Sequence, residues 1–343
     1  MTNNDSHTNH ALNVGVVDMH YDLMMDLYQK RDRKGVLVDD YLADFTTGGI
    51  GVVAAAIYLE DKYLPEMGLR VALDQIALLY DEVARSSHFA ICRTYAEIEA
   101  ARQAGKIALL ITMEGIEPLG SDIHLLRVFY ELGLRVVGLT HVRRNAAGDG
   151  GVFAPDGSSP QGLTRFGREL IAACEALGII IDLAHINPAG FNDILAATTK
   201  PVIVSHSNAR HFYDIERNIS DEQIRLIGQR GGVIGVNATL VSPTAADSHM
   251  DRYVDHIDYI AELIGIDGVG IGFDFFETIH YAMSREDQEK LAAALTTVYF
   301  VPELTNHAHA PNVTAKLTER GFSADDIAKI MYGNWMRIFR QML

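Results

Sequence analysis

Residues 163–185 read LTRFGRELIAACEALGIIIDLAH and place a helix-forming stretch directly before an apolar run. Thr164 and Gly178 are residue types that cap the N-terminal and C-terminal ends of helices, so they predict a helix over 163–177. The β-branched run IIIDL that follows is typical of a parallel strand buried on both faces. The segment therefore predicts a helix, then a buried strand, then His185 just beyond the end of that strand.

The same alternation of a β-branched run and a longer helix-like stretch recurs along the whole chain. Eight runs share this character: residues 14–17, 51–57, 107–112, 136–139, 179–183, 202–204, 233–236 and 269–272. Helix-like stretches lie between them, including 71–85, 221–230 and 253–264. Strand and helix alternating eight times predict an α/β fold of the (β/α)8 TIM barrel class.

An open, doubly wound α/β sheet is the alternative to a barrel. Gly49-Ile50-Gly51 superficially matches the glycine-rich fingerprint that binds dinucleotides in such sheets. That fingerprint requires its glycines after a strand, whereas here they precede the apparent strand. We therefore favour the barrel.

Length and composition fit one large domain. The chain has 343 residues, of which 48% are hydrophobic and 22% are charged. This length suits either two average domains or one α/β barrel. We predict a single barrel domain over residues 1–343, in which residues 1–13 form a flexible polar N-terminus. Cys92 and Cys174 lie in apolar contexts and are expected to be packed free thiols.

The charge balance and the N-terminal sequence limit the partners. With 29 basic and 45 acidic residues, the formal net charge is −16, which repels phosphate backbones and makes nucleic acid an unexpected partner. The first 15 residues contain no lysine, no arginine and no apolar core typical of a signal peptide. No apolar run approaches the ~20 residues of a membrane span. We expect a cytoplasmic protein that does not bind a membrane.

Histidine and carboxylate side chains follow six of the eight runs, at the point where each run ends. They are the stretch DMHYD at residues 18–22, Glu114, His141, His185, His206 and Asp274. The carboxyl ends of parallel strands in a barrel open onto one face, where barrel active sites lie. A single strand-end histidine is usually a cap or a core group. Four histidines and four carboxylates at one face predict a functional site.

The first of these stretches has the spacing of a metal site. His20 and Asp22 are two residues apart on a strand and therefore point the same way, with Asp18 on the same side one pleat earlier. Imidazole and carboxylate ligands together favour zinc or a similar divalent ion.

The other strand ends could complete a site for two ions. Glu114 has two carboxylate oxygens and can bridge two ions, and His185 and His206 could hold the second one. Two ions about 3.5–4 Å apart can clamp a carbonyl group and generate hydroxide near neutral pH.

Several other polar residues are expected to be structural. Asp182 lies one residue inside its run, and His256 lies on an apparent helix where it is expected to be partly buried. The pair His307 and His309 could bind a metal ion in principle, but a solvated loop is the favoured interpretation.

Taken together, these motifs resemble the membrane (renal) dipeptidases, which are the M19 metallopeptidases. The stretch DMHYD at residues 18–22 is similar to the Asp-x-His-x-Asp opening of that family. Further matches follow in family order: Glu114-Gly115, Leu139-Thr140-His141, Asp182-Leu183-Ala184-His185, SHSNAR at 205–210, Arg217-Asn218, GFDF at 272–275 and GNWMR at 333–337. The resemblance suggests a bacterial-type cytoplasmic member, because the chain lacks the secretion signal, lipid-anchor tail and cysteines of the mammalian members.

The resemblance implies a metal-dependent, amidohydrolase-like barrel that binds two Zn²⁺ ions per subunit. The same ligands would also suit other divalent ions. His20 and Asp22 would hold one zinc ion. His185 and His206 would hold the other ion. Glu114 would bridge the two.

The same resemblance assigns the substrate and catalytic positions to His141, Arg217 and Asp274. His141 could donate a hydrogen bond to the developing oxyanion, and Arg217 offers a forked donor for a free C-terminal carboxylate. Asp274 could accept a proton from the bridging water and pair with a substrate ammonium. We therefore expect a dipeptidase that hydrolyses dipeptides with free termini by a metal-bridged hydroxide.

One position departs from the family pattern. The family commonly has Gly-Asp-Phe-Asp-Gly after the eighth strand, and this chain has Phe276 in place of the second aspartate. The added bulk near the barrel mouth leaves the substrate side chains open, but it changes no predicted metal ligand.

Two other classes of protein remain as alternatives. A related barrel hydrolase of N-acyl amino acids, lactones or cyclic amides would use the same metals. A barrel retained as a binding or structural module would not need all five ligand positions, so their presence argues against a non-enzyme. For partners we predict a dipeptide substrate, no nucleic acid and no membrane, with a homodimer as one candidate assembly.

Overall fold

The structure, a computed structural model, describes residues 15–151, 160–282, 284–285, 288–289, 292 and 297–343. The predicted flexible N-terminus over residues 1–13 lies outside the described residues. The assignment of the whole chain to one domain stays a prediction.

Each of the eight apolar runs forms a strand, and one further short strand, β3, is not predicted by the sequence. The strands are β1 (Val16–Tyr21), β2 (Ile50–Ile57), β3 (Phe89–Ile91), β4 (Ile107–Glu114), β5 (Leu134–Gly138), β6 (Ile180–Asp182), β7 (Ile203–Ser207), β8 (Val233–Val236) and β9 (Val269–Ile271). Their order in the sheet is β1-β2-β4-β5-β6-β7-β8-β9, with β3 paired to β4 outside this path. The pairs β4–β5, β5–β6 and β8–β9 are parallel.

Helices alternate with the strands, as the sequence predicts. The α-helices in the described residues are α1 (Leu23–Gln29), α2 (Leu42–Thr47), α3 (Gly68–Ala84), α4 (Tyr95–Gln103), α5 (His124–Glu131), α6 (Arg165–Leu177), α7 (Pro188–Ala197), α8 (Asp221–Gln229), α9 (Met250–Ile264), α10 (Glu277–Ala282), α11 (Ala310–Glu319), α12 (Ala324–Ala328) and α13 (Asn334–Met342). This order of elements belongs to the (β/α)8 TIM barrel class, so the predicted fold class is confirmed. In the part of the chain that the structure describes, no helix has both the length and the apolar character needed to cross a bilayer.

Helix α6, over Arg165–Leu177, has the caps that its sequence indicates. Thr164 Oγ1 accepts a hydrogen bond of 3.0 Å from the N–H of Gly167 at the start of α6. Gly178 ends the helix in the left-handed conformation, with φ 75°. Both positions satisfy backbone groups that the helix itself leaves without partners. The same two residues therefore fix where α6 begins and where it ends.

The strand register aligns the last residues of β4, β5 and β6 with the first residue of β7. Glu114 of β4 pairs with Gly138 of β5, which pairs with Asp182 of β6, which in turn pairs with Ile203 of β7. His141, His185 and His206 each lie three residues after a member of this row. His141 and His185 therefore lie just beyond the ends of β5 and β6, whereas His206 lies inside β7.

The core consists of apolar strand and helix residues. Residues 108–111 of β4 are completely buried, as expected for a parallel strand covered on both faces. Trp335 is also completely buried, and its indole N–H donates a hydrogen bond of 2.9 Å to the carbonyl oxygen of Ile271. Cys92 and Cys174 are buried free cysteines, as predicted. Burial raises the pKa of both thiols to about 12.

Contacts within the chain divide it into two compact units. The first unit consists of Met1–Tyr21, Asp40–Val53 and Ser205–Ile338, and the second consists of Asp22–Asp39, Ala54–Val204 and Phe339–Leu343. Strands β1, β8 and β9 belong to the first unit, and strands β3 to β6 belong to the second. Each unit contains a set of candidate ligands.

Candidate metal centre

Three candidate ligands come together in the first unit. His20 lies in β1, His206 lies in β7, and Asp274 lies in the loop after β9. One ligand atom of each lies within 4.8 Å of the others, so the three could hold a single ion. The rings of His20 and His206 stack with centroids 3.7 Å apart, and His20 Nε2 lies 3.8 Å from Asp274 Oδ1. We call these three residues the first cluster.

Burial shifts the pKa values of two members of the first cluster. It lowers the pKa of His20 to about 3, with a smaller contribution from the charge of Arg217. The ring is therefore neutral at neutral pH, which is the form that binds metal ions. Burial raises the pKa of Asp274 to about 6, although Arg217 and a hydrogen bond from Asn237 act in the opposite direction. A carboxylate that titrates near neutral pH is suited to accepting and releasing a proton.

Two polar neighbours orient His206. Ser205 Oγ lies 2.7 Å from Nδ1 of the ring, so Nε2 is the nitrogen that would coordinate an ion. Arg217 is buried and donates a hydrogen bond of 3.0 Å to the carbonyl oxygen of His206. Arg217, which the sequence predicts as the substrate-carboxylate residue, therefore also supports the backbone of a candidate ligand.

Three other candidate residues come together in the second unit. Glu114 ends β4, His141 follows β5, and His185 follows β6. Their ligand atoms lie within 4.8 Å of one another, and His185 Nε2 is 3.0 Å from Glu114 Oε1. The rings of His141 and His185 have centroids 4.4 Å apart. We call these residues the second cluster. His141, predicted as a substrate residue, therefore lies close enough to the predicted metal ligands Glu114 and His185 for all three to bind one ion.

Backbone strain coincides with both clusters. His185 and Asp274 have φ values of 64° and 56°, in the left-handed region that residues with a Cβ rarely adopt. Such conformations persist only where surrounding contacts hold them, and they concentrate at functional sites.

Tyr58 is a partly buried neighbour of the second cluster. Its ring packs edge-on against His141 with centroids 4.8 Å apart. Burial raises the pKa of its hydroxyl well above the ordinary value, and the charges of Glu114 and Asp22 raise it further, while Arg143 acts against them. Tyr58 therefore stays protonated and can act as a hydrogen-bond donor beside His141. Asp22, a predicted metal ligand, follows β1 directly and precedes α1.

Asp18 does not belong to either cluster, although its spacing from His20 suggested a ligand on the same side. Its Oδ1 accepts a hydrogen bond of 2.8 Å from the N–H of Phe273, and its Oδ2 lies 2.7 Å from Nε2 of His307. His307 is 2% exposed, so the interpretation of this residue as part of a solvated loop is wrong. The aromatic rings that surround it, and the carboxylate that it contacts, explain how an imidazole is accommodated there.

Two residues near the clusters were missed by the sequence argument, and both follow the runs to which it assigned nothing. Tyr58 comes directly after β2 and contacts His141. Asn237 comes directly after β8 and donates a hydrogen bond to Asp274. The strand-end rule applied to every polar residue type, and not only to histidine and carboxylate, would have found them.

Phe276, the position that departs from the family pattern, lies in an aromatic group. Its ring centroid is 5.3 Å from that of Phe300 and 6.1 Å from that of His280. The bulk that replaces the second aspartate is therefore packed against other rings two residues beyond Asp274.

The donor sets of both clusters fit divalent metal ions. Each cluster combines imidazole with a carboxylate, the mixture that zinc and related ions accept. The side chains of His185 and Glu114 are only 7% and 9% exposed, and His20 is 3% exposed. Neutral histidines and carboxylates collected in a poorly solvated place are costly unless a cation or hydrogen-bond donor compensates them.

The fold and these clusters together define a TIM barrel with candidate metal ligands near its strand ends. The profile of the family described as membrane dipeptidase, peptidase family M19, matches residues 9–297. The chain therefore belongs to this family, which confirms the resemblance drawn from its motifs.

Individual relatives agree with this family. Dipeptidase 3 of Homo sapiens is 28% identical over an alignment of 346 positions that covers 95% of this chain. A solved dipeptidase described as an M19 metallopeptidase has a TM-score of 0.82 at 25% identity, covering 96% of this chain and 98% of the other. A Rhodobacter sphaeroides metallopeptidase has a TM-score of 0.81 at 24% identity, covering 96% and 99% of the two chains, and was solved with a phosphinate mimic of the dipeptide L-Ala-D-Ala.

The match covers most of this chain but less than two thirds of the length of several relatives. It spans 65% of the length of human Dipeptidase 3, and between 58% and 65% of the other curated dipeptidases of fungi and rat.

Proposed function

We propose that the protein is a metal-dependent dipeptidase that holds two divalent ions, with zinc as the first candidate, and hydrolyses dipeptides with free termini. The first cluster carries this proposal, because Asp274, a carboxylate of raised pKa, lies against the buried histidines His20 and His206. The distribution of ligands over two ions, with Glu114 as the bridge, stays a prediction from the family motifs.

The chain's own residues would divide the chemistry among them. A divalent ion held by these ligands would supply Lewis acidity toward a peptide carbonyl and toward water. Asp274 would accept the proton of the attacking water and deliver it to the leaving amine. His141 would donate to the carbonyl oxygen as negative charge develops on it. Arg217 would pair its planar guanidinium with the substrate carboxylate.

Similar proteins support dipeptides as the substrate class. Human Dipeptidase 3 is named for this activity, and the R. sphaeroides metallopeptidase binds a dipeptide mimic. A cytoplasmic location and a homodimeric assembly stay predictions.

The test combines metal content with a substrate panel. We expect the purified protein to carry about two divalent ions per chain, as a two-metal site requires. We expect it to hydrolyse L,L, L,D and dehydro dipeptides, and to lose activity when the C-terminal carboxylate is amidated. The comparison compounds are N-acetyl amino acids, which contain an amide bond but no free amino group, and a lactone, which contains a cyclic ester bond.

The outcomes separate the candidate functions. Hydrolysis of N-acetyl amino acids or lactones in preference to dipeptides would replace the proposal with the related barrel hydrolase. A protein that binds no divalent metal and cleaves none of these compounds would be a binding module and not an enzyme.

A further inference from the structure

His307 is a buried histidine outside both clusters. It opens a short 3₁₀ turn, His307–His309, that leads into α11. Its ring nitrogen Nε2 lies 2.7 Å from Oδ2 of Asp18, and both side chains are almost completely excluded from solvent. Because a carboxylate can only accept, the hydrogen of this bond lies on Nε2 of His307.

Asp18 connects His307 to the backbone of the first cluster. Its Oδ1 accepts hydrogen bonds from the N–H of Phe273, at 2.8 Å, and from the N–H of His20, at 3.3 Å. The next N–H, that of Asp274, donates to the carbonyl oxygen of His20 at 3.3 Å. One carboxylate thus joins the end of β1 to the loop after β9, the two segments that carry His20 and Asp274.

Apolar rings enclose the His307 imidazole. Tyr21, Phe45 and Phe275 present their rings nearly perpendicular to it, with centroids 4.6, 4.7 and 4.9 Å away. The backbone of His307 packs directly on Gly48, where a Cβ atom would overlap the carbonyl oxygen of His307. The ring is therefore held in place from several sides, and its donor cannot be replaced by water without opening this packing.

We propose that His307 is a positioning residue, which acts through Asp18 to hold His20 and Asp274 at the separation that metal binding requires. This inference rests on the proposed metal-dependent function. A histidine or carboxylate ligand depends on the groups that orient it, and loss of such an outer group typically weakens metal binding or activity about 10- to 100-fold. Here Asp18 holds the backbone near His20 and Asp274, and this backbone sets the point from which each side chain extends.

The test compares two substitutions with one control. His307→Phe keeps an aromatic ring in the apolar enclosure but removes the donor to Asp18. His307→Gln keeps an N–H donor near the position of Nε2. His309→Gln, two residues along in the same turn, is the control. The Nδ1 of His309 hydrogen-bonds with Thr305, which belongs to neither cluster.

The measurements are affinity for Co²⁺ as the probe ion, kcat and KM for a dipeptide, and the melting temperature of the metal-free protein. We expect His307→Phe to bind Co²⁺ about 10- to 100-fold more weakly and to lose kcat with little change in KM. His307→Gln should recover most of both losses, and His309→Gln should match the unsubstituted protein.

Several results would overturn the proposal. A His307→Phe protein that melts at a lower temperature but binds Co²⁺ and turns over normally would show a role in stability alone. Equal losses in His307→Phe and His307→Gln would show that the donor is not the feature that matters. Absence of Co²⁺ binding by the unsubstituted protein would instead remove the proposed function, and this inference with it.

Discussion

The side-chain amide of Asn237 donates a hydrogen bond of 2.8 Å to Oδ2 of Asp274. The other end of the same amide, Oδ1, accepts from both the N–H and the hydroxyl of Thr239, at 2.7 and 2.8 Å. Since two donors hold Oδ1, the NH₂ group has to face the carboxylate. Asn237 therefore stabilises the charged form of Asp274, while burial favours the neutral form.

Replacing Asn237 by Ala should raise the pKa of Asp274. The hydrogen bond favours the carboxylate, so its loss favours the protonated form, and the acidic limb of the kcat/KM profile should move to higher pH. Thr239→Val is the matched control, because it leaves the amide and the main-chain donor in place and should shift the limb less. An acidic limb at the same pH in Asn237→Ala would assign that limb to another group.

Replacing Asp274 by Asn should lower kcat by a factor on the order of 10²–10⁴, the usual contribution of general acid–base catalysis. Asparagine is nearly isosteric but cannot accept the proton of the attacking water. Metal content and melting temperature, measured on the same preparation, distinguish a lost proton acceptor from lost metal or a folding defect. A normal kcat with both ions bound would exclude Asp274 as the proton acceptor.

Replacing Arg217 by Lys should raise KM for dipeptides with a free carboxylate. Lysine keeps the positive charge but loses the planar fork that matches a carboxylate. C-terminally amidated dipeptides are the control substrates, since they offer no carboxylate to bind. If they suffer equally, the main role of Arg217 is its hydrogen bond to the carbonyl oxygen of His206.

Replacing Glu114 by Gln should lower the metal content of the purified protein below about two ions per chain. The amide lacks the negative charge that offsets the cations, while its size and the contact with His185 are nearly kept. Glu131→Gln, an exposed change on α5, is the control and should keep the full content. Full occupancy in Glu114→Gln would contradict the bridging role.

Replacing His256 by Gln should flatten the dependence of stability on pH. His256 is fully buried on α9, where Nδ1 accepts from the N–H of Ala209 and Nε2 contacts the carbonyl oxygen of Val241. Burial lowers its pKa from 6.5 to about 4, with Arg252 and His211 also lowering it and the Val241 carbonyl and Asp255 opposing. The unfolded chain therefore binds a proton more readily than the folded protein does.

The sign of this effect follows from that difference. The contribution of neutral His256 to the free energy of unfolding is present above pH 6.5. It is lost as the pH falls toward 4, and the loss is on the order of 3 kcal/mol. Glutamine can make both hydrogen bonds but does not titrate. The measurement is urea unfolding of the metal-free protein from pH 7 to pH 4. The free energy of unfolding should decrease less in His256→Gln than in the unsubstituted protein or in His88→Gln, an exposed control. Equal losses would assign the acid sensitivity to other groups.

The amino-acid sequence by itself determined the fold class and most of the candidate site. Runs of β-branched residues can be recognised locally, because a strand buried on both faces needs apolar side chains at nearly every position. Thr164 and Gly178 likewise mark the ends of α6 by local chemistry. The strand-end rule then selected His20, His206 and Asp274, because parallel strands all present their carboxyl ends on one side.

The tertiary structure alone decided which of these residues touch and what lies behind them. Asp18 and His307 are almost 290 positions apart in the chain, so no local pattern could predict their contact or the burial of His307. His141 joins Glu114 and His185 because the strand register aligns Glu114 with Gly138 and Asp182, a matter of pairing between strands. Local chemistry specifies where each strand and helix ends, whereas burial and contacts between distant segments arise only when the strands pair and pack.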